Sequence, residues 1–247
     1  MIREAEKTAL ITQLQREICT LQGLRDDRED KIHLGLGMIE QAFPGNTFPV
    51  AAVHELISYG RENAAATNSF ITCLLGKLLQ DDGYCIWVSV RRSIYPAGLK
   101  RFGLNADRIL FIDAGKNTEA LWAIEEALKC NQIKAVVGEV PDLNFTESRR
   151  LQLAVESSRV TGFIHRCYPR QENTVACVSR WHINPVASKT AIGMPGVGFP
   201  KWEVTASKIR NGHPGKWIVE WTGNHFTVTA AHASTSADHL FQSGMYG

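Results

Sequence analysis

The sequence predicts an α/β protein: a mostly parallel, twisted sheet with helices on both faces. Short, mostly apolar runs at 50–59, 84–90, 106–114 and 133–140 read as strands, those at 84–90 and 133–140 as buried ones. Helical repeats at 68–80, 117–130 and 146–160 alternate with them. Strand and helix in alternation, with short links, is the pattern of crossover connections in a parallel sheet. A chain of 247 residues holds one such domain with small additions at its ends.

Composition narrows the function classes. Hydrophobic residues make up 44% and charged residues 21%, the proportions of an ordinary soluble globular protein. A formal net charge of +2 argues against a protein that coats DNA by charge alone, while leaving room for a local basic stripe. No apolar run approaches the ~20 residues of a membrane helix, and MIREAEKT is too charged for a signal peptide. The expected setting is cytoplasmic, with no membrane partner. The six cysteines are dispersed without a CxxC pair, as suits reduced thiols in a core.

Three regions follow in order. Residues 1–31 form an amphipathic helix, with Leu10, Leu14, Ile18 and Leu21 on one face, and a charged linker. That stripe either packs on its own domain or docks on a neighbouring protein. Residues 32–229 form the α/β core; its helices are expected to be capped by Asn117 or Thr118 and by Thr146, with a further helix starting near Pro96. Within this core, 202–221 reads as a hairpin around NGHPG. Residues 230–247 are small, polar and unpatterned, and are expected to be disordered. There is no internal repeat.

Gly60, Arg61, Glu62, Asn63, Ala64, Ala65, Ala66 and Thr67 stand between the first strand and its helix. Strand, glycine turn and helix is the setting of a phosphate-binding loop, and Gly60 and Thr67 hold the spacing of its first glycine and metal-ligating hydroxyl. Ala65 replaces the second glycine and Ala66 the lysine. Such a loop works through backbone N–H groups aimed at the anion and a lysine that neutralises it. Ala66 carries no charge, and the Ala65 methyl crowds the approach. The stretch reads as a degenerate nucleotide loop; weak nucleotide binding is the most that it offers.

The segments VHELIS, SIYPAGLKRFGL, ALWAIEEALK, VVGEVPDL, ESRRLQLAVESSRVTGFIHR and KIRNGHPGKWIVEW, in this order, resemble the RecA core and more specifically the ImuA family. ImuA proteins are RecA-like and SulA-like accessory proteins of bacterial mutagenic repair cassettes. The resemblance implies a RecA-like fold from about residue 34 to 221. It also implies SOS-induced error-prone repair as the setting. The implied partners are an ImuB-like protein, through it a DnaE-type polymerase, and RecA itself.

RecA's catalytic positions all fail when carried over. The lysine falls on Ala66, the water-activating glutamate on Arg91 and the magnesium-supporting aspartate on Gly138. Glu139 stands beside Gly138, with its side chain expected on the opposite face. Phosphoryl transfer rests on these parts, so no ATP hydrolysis and no catalytic residue is expected. The two DNA-contacting loops are reduced to 141–145 and about nine residues before 176, which argues against RecA-type filaments. A RecA-type DNA-dependent ATPase working with unusual residues, and a SulA-like inhibitor of cell division, are the alternatives.

Other candidate positions carry two readings each. Lys208, Arg210 and Lys216 flank the hairpin turn and either meet a phosphate backbone or acidic partner, or guard a solvated edge. Trp202, Trp217 and Trp221 either stack bases or form cross-strand core pairs. His165, Cys167, Cys177 and His182 are spaced like ligands, but lie in strands that cannot close a tetrahedral knuckle, so no metal is expected. Ser89 and His54 have no triad partners at useful spacing.

Overall fold

A computed structural model describes residues 33–80, 83–188 and 196–231. The expected helix bearing Leu10, Leu14, Ile18 and Leu21, and the tail past 231, lie outside the described residues. In chain order the strands are β1 (Val53–Ser58), β2 (Cys85–Ser89), β3 (Ile109–Asp113), β4 (Ala135–Val140), β5 (Thr161–Cys167), β6 (Ser179–Pro185), β7 (Lys201–Ile209), β8 (Gly215–Trp221) and β9 (Phe226–Ala230). They form one sheet in the order β3-β2-β4-β5-β1-β6-β7-β8-β9. The pairings from β3 to β6 are parallel and those from β6 to β9 antiparallel. The helices are α1 (Arg61–Leu78), α2 (Asn117–Leu128) and α3 (Phe145–Ser158).

Strand alternation divides the interior into two cores. Trp87, Val137 and Phe163 point to one face and pack with Phe70 and Leu74 of α1. Their neighbours Val88, Val136 and Ile164 point to the other, against Ile124 and Leu128 of α2 and Val155 of α3. The three hairpin tryptophans are buried in the α1-side core. Trp202 meets Phe70 edge-on at 5.9 Å between ring centroids, and Trp221 meets Phe226 at 4.9 Å. These are core contacts, leaving none of these three indoles free to stack on a base. No described helix is long and apolar enough to cross a membrane.

Several boundaries differ from the sequence reading. The segment from Pro96 to Phe102 is a 3-10 helix that ends on left-handed Gly103 (φ 81°), which closes it after two turns. The cap of α2 is Lys116, without a side-chain hydrogen bond, and Asn117 lies inside the first turn. α3 starts before Thr146: Asn144 Oδ1 accepts from Glu147 N–H at 2.9 Å, and Glu147 Oε2 accepts from Asn144 N–H at 2.8 Å. That reciprocal pair satisfies two orphan amides and outcompetes Thr146 as the cap. Strand β9 was not expected; its few apolar residues gain order by pairing with β8, from Trp221↔Phe226 to Trp217↔Ala230.

Replacing Asn144 by Ala is expected to lower unfolding stability by about 1 kcal/mol, and Thr146→Ala by under about 0.5 kcal/mol. Urea denaturation of both variants checks which residue caps α3.

Candidate functional site

At the carboxyl ends of β1, β4 and β5 the structure replaces the expected loop with helix. α1 begins at Arg61 with Gly60 as its cap, so residues 61–67, expected to form a turn, lie in its first two turns. Good helix formers at 64–66 make this conformation cheap. A Cβ at Gly60 would sit 2.8 Å from Asn63 Oδ1, and the Asn63 amide donates across to Asn184 Oδ1 on β6 at 2.7 Å. Ala66 is buried in the α1-side core. The position that would carry the phosphate-binding lysine therefore faces hydrocarbon.

Thr67 is fully buried, with its hydroxyl 2.9 Å from Ser58 Oγ on β1. Ser58 Oγ lies 2.9 Å from His165 Nε2 on β5, and His165 Nδ1 lies 2.7 Å from Asn68 Oδ1 on α1. Burial pushes the His165 pKa down to about 3, so the ring is neutral. Asn68 Oδ1 accepts only, so Nδ1 carries the proton and Nε2 accepts from Ser58. The Asn68 amide then donates to Ser93 Oγ at 2.8 Å and to Glu139 Oε1 at 3.0 Å. Trp87 Nε1–H donates to Glu139 Oε1 at 3.0 Å, and Ser93 to Glu139 Oε2 at 2.9 Å. Every donor in this chain meets an acceptor, with one consistent polarity from Thr67 to Glu139.

Glu139 overturns one sequence expectation. Its side chain shares the α1 face with Val137 and Trp87, while a Cβ added at Gly138 would run into Ile124 of α2. The residue that faces the loop helix is thus Glu139, one position past the expected Gly138. Burial raises the Glu139 pKa, and the bonds from Ser93, Trp87 and Asn68 offset part of that rise. Its hydrogen-bond partners among the described residues, Asn68, Trp87 and Ser93, are all neutral. Arg91 stands exposed just past β2.

The opposite face carries charge. Glu55 on β1 is fully buried between Arg166 (2.9 Å) and Arg180 (2.6 Å). Arg180 also reaches Glu172, whose other oxygen accepts from Tyr59 at 2.5 Å. These cations hold the β5–β6 connection by its backbone: Arg166 donates to Gln171 O and Arg180 to Asn173 O. Lys208 adds Val175 O at 3.0 Å and Arg210 adds Ala176 O at 2.9 Å. A bulge where β6 meets β7, between Arg180 and Trp181, sets Lys208 beside Arg180. Lys208 and Arg210 thus share a face, as the strand period demands, and both are engaged within the chain. Lys216 pairs with Glu203 at 2.8 Å.

His54, expected to have no triad partners, bonds Ser179 Oγ at 2.6 Å and Pro49 O at 2.8 Å in the interior. His165 is committed to Ser58 and Asn68, and among the described residues no group of His, Cys, Asp and Glu is arranged to hold a metal. Sequence reasoning missed Asn68, Ser58, His165 and Glu139 as one unit. Ser58, His165 and Glu139 share one signal, a polar residue near the carboxyl end of an otherwise apolar strand face, and Asn68 is the polar residue of α1 that meets them.

Ala66→Lys would bury an ammonium among apolar side chains, and a loss of roughly 3 kcal/mol or more is expected in chemical denaturation. The pH dependence has two opposing parts. His54 and His165 stay neutral to about 4 and about 3 in the fold, while an unfolded histidine protonates near 6.5, so stability falls as pH drops below about 6.5. The raised Glu139 pKa acts the other way, because the native state there holds a proton that the unfolded chain has lost. Glu139→Gln removes that compensation and should make the acid-side fall in urea midpoint steeper than in the parent; parallel profiles would contradict the assignment.

No family model matches the chain. Protein ImuA of Caulobacter vibrioides is 32% identical over 201 residues, covering 76% of this chain and 82% of that protein. The cell division inhibitor SulA of Photorhabdus laumondii is 27% identical over 116 residues, or 47% of this chain and 66% of SulA. Among solved structures, the RadB recombinase superposes with a TM-score of 0.53 at 12% identity, covering 79% of this chain and 98% of RadB. That likeness establishes a RecA-like fold. Because the identity to ImuA runs through most of both proteins, this chain belongs to the ImuA family.

Proposed function

We propose that the protein is a non-catalytic, RecA-like adaptor in SOS-induced error-prone repair. It acts through protein–protein contacts with an ImuB-like protein and, through it, a DnaE-type polymerase, with RecA as a further partner. Family membership supplies the setting. The absence of turnover is supported by one observation above all: the chain from Thr67 to Glu139 uses the hydroxyl, amide and carboxylate groups that would otherwise meet metal and phosphate. Ala66 leaves a triphosphate without its counter-charge. The β5–β6 connection, strapped by four cationic side chains, supports a rigid scaffold over a loop that orders on DNA. Leu10, Leu14, Ile18 and Leu21 are the proposed docking stripe.

A second reading is a SulA-like inhibitor of cell division, favoured by the likeness over 116 residues. Filamentous growth on overexpression, without any effect on mutation, would select it. The adaptor reading is tested in cells that lack the gene. Glu139→Gln, which removes the buried carboxylate bonded to Asn68 of α1, is expected to restore damage-induced mutation as fully as the parent. Polar replacement of all four stripe residues is expected to lose both mutation and co-purification of the ImuB-like protein. Failure of a well-folded Glu139→Gln protein would count for a nucleotide-dependent activity instead.

A further inference from the structure

One stretch departs from the near-neutral charge of the whole chain. Residues 91–103, RRSIYPAGLKRFG, carry the cations Arg91, Arg92, Lys100 and Arg101 and no acidic residue, against a net charge of +2 for the entire sequence. From Pro96 to Phe102 they form the 3-10 helix that packs on α1. That helix has three sides, because side chains at i and i+3 eclipse. Pro96, Leu99 and Phe102 form the covered side, with Leu99 in the α1-side core. Ala97 and Lys100 are exposed on the second side, Gly98 and Arg101 on the third. Burial thus repeats every three residues, and each outward side carries a cation.

Tyr95 lies on the third side. A Cβ added at Gly98 would sit 3.8 Å from Tyr95 Cδ1, so the ring rests beside the residue that shares its side with Arg101. Tyr95 is 76% exposed, the most exposed of the described aromatic residues, and its ring and hydroxyl have no partner among the described residues. Arg92 is already used: it holds Asp113 at 3.0 and 2.7 Å and lies 5.5 Å from the Phe111 ring centroid. Arg91, Lys100 and Arg101 are exposed and make no ion pair among the described residues. Such cations attract any anion, an acidic peptide included. An acidic peptide has no use for the open ring, whereas a nucleic-acid strand uses both features, its phosphates on the cations and a base on the ring. That base has to be unpaired, because in a duplex its two faces are already stacked.

We propose that the face formed by Tyr95, Lys100 and Arg101, with Arg91 on the approach to it, binds an unpaired nucleic-acid strand. The face belongs to the α1 side of the sheet, whereas the shortened connection at 141–145 leads to α3 on the other side. The assignment does not rest on the adaptor reading. The test is fluorescence anisotropy of a labelled oligodeoxythymidylate titrated with the full-length chain at several salt concentrations. Three phosphate contacts predict a slope of about −2 for log K against log salt. Lys100→Ala and Arg101→Ala should each flatten that slope by about 0.7. Tyr95→Ala should leave the slope unchanged and weaken binding about fivefold or more, and Tyr95→Trp should restore it. These exposed positions should all keep the parent's circular dichroism. Lack of saturable binding at low salt, equal affinity for a hairpin duplex, displacement by polyglutamate as effective per charge as by unlabelled strand, or a Tyr95→Ala protein that binds like the parent would each overturn the proposal.

Discussion

His165 reaches Ser58 on β1 with one nitrogen and Asn68 on α1 with the other, and through Asn68 it also holds Glu139 on β4. Four elements are tied by a side chain that works only while neutral, in a place where burial keeps it so. Because the chain is fully satisfied, it stabilises one arrangement of α1 against the sheet; partly broken, it would strand buried polar groups. The first two turns of α1, the inward methyl of Ala66 and the buried hydroxyl of Thr67 all follow from that arrangement.

The same sheet carries a different solution on its other side. Glu55 is shared by two arginines, and those arginines continue outward to backbone carbonyls of the β5–β6 connection. Breaking such a buried set by removing one charge is far costlier than its net worth, because the remaining charges are left unpaired. The connection is therefore fixed by the interior rather than by strand pairing.

Much of this was legible in the sequence. Apolar runs located four of the six strands in parallel pairings, β1 to β4, whereas β5 and β6 carry the polar side chains His165, Arg166, Arg180 and His182; the failed loop residues Ala65 and Ala66 were visible by spacing alone. What the sequence hid was register. Gly138 and Glu139 differ by one position, and only the pleat decides which faces α1. The caps misled for a related reason: Asn144 and Glu147 act as a reciprocal pair, whereas Thr146 merely has the right residue type. Lys208 and Arg210 looked like surface charge until the bulge at β6 showed which carbonyls they reach. β9 carried too few apolar residues to announce itself without β8 beside it.

We propose that the hydrogen-bonded network from Thr67 to Glu139 takes the place of a nucleotide's contacts. Calorimetric titration of the full-length protein with a magnesium-bound, non-hydrolysable ATP analogue tests it most directly. The closed network predicts no saturable heat at millimolar analogue. Saturable binding that disappears when Glu139 is changed to Gln would show that the carboxylate serves a metal and nucleotide after all.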